Sequence, residues 1–327
     1  MSTPQLTANE HTGLKARTGE VESLVSRIAV EMADSWRKGE RPRTEDYLDR
    51  YPELWERPSA ALELIAEELA VREEYGEPIS PSMLARRFPR WRDQVRALGD
   101  CHREMGGRPG ISRFPEAGTT LGDFRLGFEL GRGASGRVFA ATQSSLGSRP
   151  VVLKLSSPAG NEHLSLARLQ HTHIVPIHSV HEFPDRGLIA LCMPYFGGAT
   201  LATVLAALAD RPVPTRTGAD LVTTLRGLQA RSPLPIPVQG PGCDSLAASS
   251  YTHAICRIGV CLARALQFAH DRGLLHLDIK PSNVLIAADG VPMLLYFHLA
   301  RPPLRVGDLA PTMLGGTPGY MAPEHAL

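Results

Sequence analysis

Three groups of residues have the types and spacing to handle phosphate. The first is Gly131-Arg132-Gly133-Ala134-Ser135-Gly136-Arg137-Val138, where glycines let backbone amides approach phosphate oxygens with no Cβ in the way. A G-x-G-x-x-G run alone also suits a dinucleotide turn, but strand-like residues (V-F-A-A-T) follow it here. That order favours a flap over a phosphate chain. The second group is Lys154 at the end of the apolar run Val151-Val152-Leu153, with Glu162 further on. A lone lysine at a strand end is usually a solvated charge, so Lys154 gains meaning only from its neighbours. The third is Asp278, Lys280 and Asn283, a carboxylate, an ammonium and a carboxamide at positions x, x+2 and x+5. His163, His171, His173, His178 and His181 are also crowded together, but their spacing matches no standard metal-ligand pattern.

These groups need elements to position them. From Leu121 the pattern is one of short apolar strands with glycine turns, giving way to helices after about Leu201. An amphipathic helix over 251–272 leads directly to Asp278. Proline, glycine, serine and threonine accumulate at 210–248, which predicts a mobile insertion with at most a short helix near 219–229.

Upstream, Val21, Leu24, Val25, Ile28, Met32 and Trp36 form one apolar helical stripe over 20–38, and a second helix is predicted from about Ala60 to Tyr75. The segment G-E-R-P-R-T-E-D-Y-L-D-R-Y-P at 39–52 is echoed by G-E-P-I-S-P-S-M-L-A-R-R-F-P at 76–89, so Glu40, Tyr51 and Pro52 correspond to Glu77, Phe88 and Pro89. Two copies are too few for a solenoid. The expectation is a small all-α domain over 20–104 with a duplicated helix-loop-helix, after a disordered stretch at 1–19 and before a Gly/Pro-rich linker at 105–120.

Composition narrows the function classes. The chain has 327 residues, 43% hydrophobic and 21% charged, the balance of a globular protein of about two domains. Its 35 basic and 34 acidic residues nearly cancel, which argues against nucleic acid or an anionic membrane surface as the main partner. The N-terminus has no apolar h-region, and the longest apolar run, 254–270, is interrupted by Arg257 and Arg264. A cytoplasmic protein with no membrane segment is expected. Cys101, Cys192, Cys243, Cys256 and Cys261 include no C-x2-C pair, so reduced thiols are expected.

Taken in order, the motifs from Leu121 to Glu324 resemble those of bacterial serine/threonine protein kinases, and the N-terminal region resembles extensions of such kinases in planctomycete-type bacteria. The resemblance implies an α+β, bilobal kinase-like domain over 121–327, with a β-rich N-lobe and an α-helical C-lobe. It implies ATP and Mg²⁺ as cofactors and a protein substrate or signalling partner. By the same resemblance Gly131, Gly133, Gly136 and Val138 cover the nucleotide, Lys154 grips the α- and β-phosphates, and Glu162 holds Lys154. Met193 becomes the gatekeeper of L-C-M-P-Y-F-G-G, and the Phe196 N–H becomes the donor to adenine. Asp278 orients and accepts the proton of a substrate hydroxyl, Lys280 neutralises the γ-phosphate, and Asn283 ligates Mg²⁺. Lysine two residues after the aspartate resembles the serine/threonine class. Gly315-Gly316-Thr317-Pro318-Gly319-Tyr320-Met321-Ala322-Pro323-Glu324 resembles the end of a protein-kinase activation segment. Small-molecule kinases lack that segment.

The pattern is broken in four places. Tyr296 stands where the family's D-F-G motif has its metal-binding aspartate, and a neutral phenol is a poor ligand for a hard cation. His298 replaces the glycine of that motif, and Leu277 replaces an arginine that pairs with an activation-loop phosphate. The chain stops at Leu327, three residues past Glu324, which predicts a C-lobe truncated after the A-P-E triplet. The sequence therefore supports an ATP-binding serine/threonine kinase by family with impaired turnover. The alternative is an inactive pseudokinase serving as a nucleotide-binding or protein-interaction scaffold.

Overall fold

The computed structural model describes residues 24–96 except 26 and 30, together with 98–99, 114–133, 136–156, 158, 162–297, 300, 316–317 and 320–322. The stretch 1–19, most of the expected linker (105–113), and Ala134, Ser135, His298 and Glu324 lie outside the described residues.

The N-terminal part is helical. Helix α1 (31–37, with helical residues before it at 24–25 and 27–29), α2 (Thr44–Arg50), α3 (Pro58–Glu74), α4 (Pro81–Arg87) and α5 (92–96) follow one another. They surround a core that includes Ile28, Met32, Trp36, Leu64, Phe88 and Trp91. The two echoed segments adopt matching backbones. Helix α2 ends at Tyr51 (φ −127°, ψ 74°) and α4 at Phe88 (φ −121°, ψ 69°), and each runs into a 3-10 turn opened by proline. Proline at the next position bars its predecessor from the helical region, so both helices stop at the aromatic residue.

Fully buried Glu68 of α3 ties the copies together. It accepts hydrogen bonds from Thr44 N (2.8 Å) and Thr44 Oγ1 (2.7 Å), and from Arg72 Nε (2.6 Å) and Arg87 Nη1 (2.7 Å). Burial alone would raise its pKa. The hydrogen bonds and charge of Arg87, with Arg72 and the Thr44 amide, outweigh that and hold the carboxyl at about 2.

The next part is an antiparallel sheet in the order β1-β2-β3-β4-β6-β5, made of β1 (Thr120–Leu121), β2 (Phe124–Gly133), β3 (Gly136–Gln143), β4 (Arg149–Ser156), β5 (Ser179–Phe183) and β6 (Leu188–Pro194). Period-two alternation decides which way β4 aims its side chains. Val151, Leu153 and Leu155 pack with Phe124, Phe139 and Ala190 on one face, so Lys154 projects from the other. There it meets α6 (Glu162–Leu166), between β4 and β5.

The last part holds β7 (Ala199–Thr200), α7 (Leu201–Ala207), α8 (Gly218–Ala230), α9 (Pro241–Ala247), α10 (Tyr251–His270), β8 (Val284–Ile286) and β9 (Pro292–Leu294). Strands β7, β8 and β9 form a small antiparallel sheet. Ser250 caps α10 by accepting from His253 N (3.3 Å), and Ala254, Ile258, Ala265 and Ala269 form its buried stripe. The insertion departs from expectation. Helix α8 falls where a short helix was anticipated, capped by a Thr217–Asp220 box. The flanking Pro-rich stretch, expected to be loose, contributes Val238 and the α9 residues Cys243 and Leu246 to the same core as α10. Composition misled because the prolines sit where they are tolerated, Pro241 at the start of α9 for example. Among the described residues no helix is long and apolar enough to cross a membrane.

Candidate nucleotide and phosphoryl-transfer site

Lys154 and Glu162 meet between the sheet and α6. Lys154 Nζ donates to Glu162 Oε2 at 2.6 Å, and the two side chains are only 1% and 8% exposed. A buried ammonium is tolerated only when paired. It also has an aromatic neighbour, since the Tyr296 ring centroid lies 4.5 Å from Lys154 Nζ. Burial, reinforced by the nearby Glu162 charge, pushes the Tyr296 phenol up to about 12, so it remains neutral. Tyr296 thus presents a π-face, and no anionic oxygen, to the lysine.

The second cluster surrounds Asp278. Asn283 Nδ2 donates to Asp278 Oδ2 and to the Asp278 carbonyl, both at 2.8 Å. Lys280 Nζ donates to Thr317 Oγ1 at 2.7 Å, and Thr317 Oγ1 donates to Asp278 Oδ1 at 2.7 Å. Lys280 Nζ is itself 3.5 Å from Asp278 Oδ2. Both carboxylate oxygens are therefore engaged, and a hydroxyl already sits on one of them. Thr317 was not assigned a role from the sequence. A signal was present in the preceding glycine: Gly316 has φ 141°, and a Cβ there would sit 2.9 Å from the Leu277 carbonyl. That close approach brings Thr317 onto the carboxylate.

Backbone ties hold the two clusters in register. His276 Nδ1 accepts from Asp278 N (3.2 Å), so Nε2 carries the proton and donates to the Leu295 carbonyl at 2.9 Å. Its ring meets Phe297 edge-on at 4.6 Å. Burial lowers the His276 pKa, keeping it neutral. Between these ties Leu277 (φ 65°) and Tyr296 (φ 56°) sit in the left-handed region, a conformation costing side-chain-bearing residues about 1 kcal/mol or more. The packed surroundings impose it.

The remaining predicted residues lie on β2, β3 and β6 or just after β6. Gly131 and Gly133 lie in β2 and Gly136 opens β3, while Ala134 and Ser135 at the tip are outside the described residues. Gly136 has φ 122°, and a Cβ there would come within 2.0 Å of the Leu155 carbonyl. Val138 pairs with Gly131 on one side and with Lys154 on the other. Buried Met193 ends an apolar cluster with Val175, Ala287 and Met293, against which Val152, Phe196 and Leu285 also pack. Phe196 receives a hydrogen bond from Ala288 N at its carbonyl (3.1 Å). Of the clustered histidines, His173 Nδ1 contacts the Pro292 carbonyl at 2.8 Å and the His171 ring lies 5.0 Å from that of Phe268.

The donor set does not suit Mg²⁺. The ion asks for several oxygen ligands, preferably anionic. Tyr296 offers a neutral phenol, and Asn283, whose Nδ2 donates to Asp278, can offer only a neutral carboxamide oxygen. Among the described residues no group of three His, Cys, Asp or Glu could hold a metal.

A protein kinase domain model matches residues 247–326, the span holding α10, Asp278, Asn283 and Tyr296. The architecture is mixed α+β, a six-stranded antiparallel sheet followed by a helical part. Two proteins similar to this chain are described as serine/threonine protein kinases. The chain is 30% identical over 220 residues to the DNA damage-responsive serine/threonine-protein kinase RqkA of Deinococcus radiodurans, covering 64% of this chain and 27% of that protein. It is 30% identical over 222 residues to the serine/threonine-protein kinase PknE of Mycobacterium tuberculosis, covering 64% of this chain and 31% of PknE. The chain thus spans about a third or less of the length of these two relatives. The crystal structure of the Mycobacterium tuberculosis PknI kinase domain aligns with a TM-score of 0.37 at 24% identity, covering 58% of this chain and 64% of that one.

Proposed function

We propose that this chain is an ATP-binding domain of bacterial serine/threonine protein-kinase type whose phosphoryl transfer is weak. The observation that carries the reading is the Lys154–Glu162 pair, closed at 2.6 Å beside the Asp278, Lys280 and Asn283 cluster. A buried lysine and glutamate cost desolvation energy, and their place behind the glycine flap fits a grip on nucleotide phosphates. In this reading the adenine ring lies between Val138, Val152 and Leu285 against the Phe196 backbone. Asp278 orients a serine or threonine hydroxyl of a protein substrate and takes its proton as the γ-phosphoryl group passes to that oxygen and ADP leaves. The loss of a metal-binding carboxylate at position 296 removes several kcal/mol of transition-state stabilisation, and about 4 kcal/mol corresponds to roughly a thousandfold in rate.

A second reading, a pseudokinase acting as a nucleotide-binding or protein-interaction scaffold, is favoured by the Tyr296 ring lying 4.5 Å from Lys154 Nζ. One experiment addresses both. The purified chain is melted with and without ATP, and with and without Mg²⁺, because a ligand of the folded state raises the melting temperature. A rise with ATP supports nucleotide binding. A rise that also needs Mg²⁺ favours residual kinase activity, and one indifferent to Mg²⁺ favours the scaffold. No rise under any condition removes the nucleotide-binding reading.

A further inference from the structure

The chain between α7 and α10 folds back onto the segment that joins the sheet to the helical part. That segment, Tyr195 to Gly198, contains two adjacent glycines in the left-handed region, Gly197 (φ 61°) and Gly198 (φ 79°). Paired glycines are soft, because glycine has the most conformational freedom to lose. The insertion supplies outside restraint at every residue from 195 to 198. Tyr195 Oη donates to the Leu234 carbonyl at 3.0 Å, with Ser232 Oγ at 3.3 Å. Gly198 N donates to Gln229 Oε1 at 2.7 Å, and Gln229 Nε2 donates to the same Leu234 carbonyl at 3.1 Å. Ile236 packs so closely on Gly197 that a Cβ there would come within 3.1 Å of it. Phe196 is reached through one intermediate, since Ala288 N donates to its carbonyl and the Ala288 carbonyl accepts from Gln239 N, both at 3.1 Å. Gln229 is 2% exposed, so neither of its bonds competes with water.

We infer that the 229–239 stretch braces the lobe-joining segment, and that Gln229 is a positioning residue setting the adenine-facing backbone of Tyr195 to Gly198. The inference rests on the nucleotide-binding reading. It goes further in assigning part of the affinity to an insertion remote from the phosphate-binding groups. Gln229 touches no nucleotide. It acts by holding Gly198 N and, through Leu234, the Tyr195 ring, so that the two glycines do not spread the segment over several conformations. The brace therefore strengthens binding of the base and leaves the phosphate grip of Lys154 unaltered.

The test uses the full chain, with Gln229→Leu and Tyr195→Phe as variants. Affinities for ATP and for inorganic tripolyphosphate are measured by calorimetry, and amide hydrogen exchange is followed over 195–198 in the ligand-free protein. Loss of two buried hydrogen bonds in Gln229→Leu is expected to weaken ATP binding about tenfold, and loss of one hydroxyl in Tyr195→Phe about threefold. Tripolyphosphate affinity is expected to stay as in the unaltered chain, while exchange over 195–198 accelerates in both variants. Should Gln229→Leu fail to fold, Tyr195→Phe carries both readouts. Unchanged ATP affinity with unchanged exchange overturns the brace. Equal weakening of ATP and tripolyphosphate also overturns it, since that marks general loosening of the fold. If the unaltered chain binds no ATP, the nucleotide-binding reading falls and exchange alone decides the brace. Acceleration confined to 195–198 then supports it, and its absence overturns it.

Discussion

Lys154 Nζ lies 2.6 Å from the Glu162 carboxylate and 4.5 Å from the centroid of the Tyr296 ring, so one buried ammonium is shared between an anion and a π-face. Where the resemblance calls for an aspartate facing a metal ion, a phenol instead faces the lysine. The ring supplies attraction to the cation and no anionic oxygen for Mg²⁺.

Restoring the carboxylate should restore the metal requirement. Tyr296→Asp is expected to make the ATP-induced melting shift depend on Mg²⁺ and to raise phosphate transfer to a generic serine/threonine substrate by up to about a thousandfold. Transfer that stays at background in a variant that does bind Mg²⁺-ATP would show that the tyrosine is not the main defect.

Breaking the buried pair from one side should cost more than removing both charges. Glu162→Gln leaves the Lys154 ammonium, 1% exposed, with the Tyr296 ring but no anion. A loss of about 3 kcal/mol in denaturant unfolding is expected. The double variant Lys154→Met, Glu162→Gln should lose less than Glu162→Gln alone. The opposite order would mean that the pair is not electrostatically coupled.

Acid should weaken the helical part through Glu68. Its carboxyl is held at about 2 in the folded chain against an ordinary value of 4.5. The unfolded chain therefore takes up this proton first as pH falls. The stabilisation is complete above about pH 4.5 and drains away toward pH 2, about 3 kcal/mol in all. Unfolding of Glu68→Gln should depend less steeply on pH across that window, and an unchanged slope would assign acid sensitivity elsewhere.

A second pH effect should appear nearer neutrality. His276 has a lowered pKa because burial disfavours its charged form. The unfolded state protonates first as pH drops below about 6.5, so stability falls from there toward the lower folded value. His276→Asn should lose that slope below about pH 6.5 in chemical denaturation, while also weakening the tie to the Leu295 carbonyl. A slope retained in the variant would mean that another group carries the titration.

The proximity of part of the candidate site was legible in the sequence because those residues are local in the chain. Asp278, Lys280 and Asn283 lie within six positions, and a loop of that length leaves little choice about their proximity. Alternation along Val151-Val152-Leu153-Lys154 already sets the lysine opposite an apolar face, and the strand and helix patterns of 121–272 anticipate the α+β architecture. The echo at 39–52 and 76–89 likewise appears as matching helix ends, since proline after an aromatic residue fixes the backbone locally.

Tertiary structure alone decided the contacts between segments distant in sequence. Nothing local in the sequence places Thr317 on Asp278 across 39 positions, or Gln229 on Gly198 across 31. Composition made the stretch around α9 look unable to bury anything, yet Val238, Cys243 and Leu246 share the α10 core. Sequence fixes which groups can bond and which faces are apolar, because those follow from side-chain chemistry and backbone period. Which distant partner satisfies a buried amide or charge is set only when the chain closes on itself, because there each polar group removed from water must find a partner.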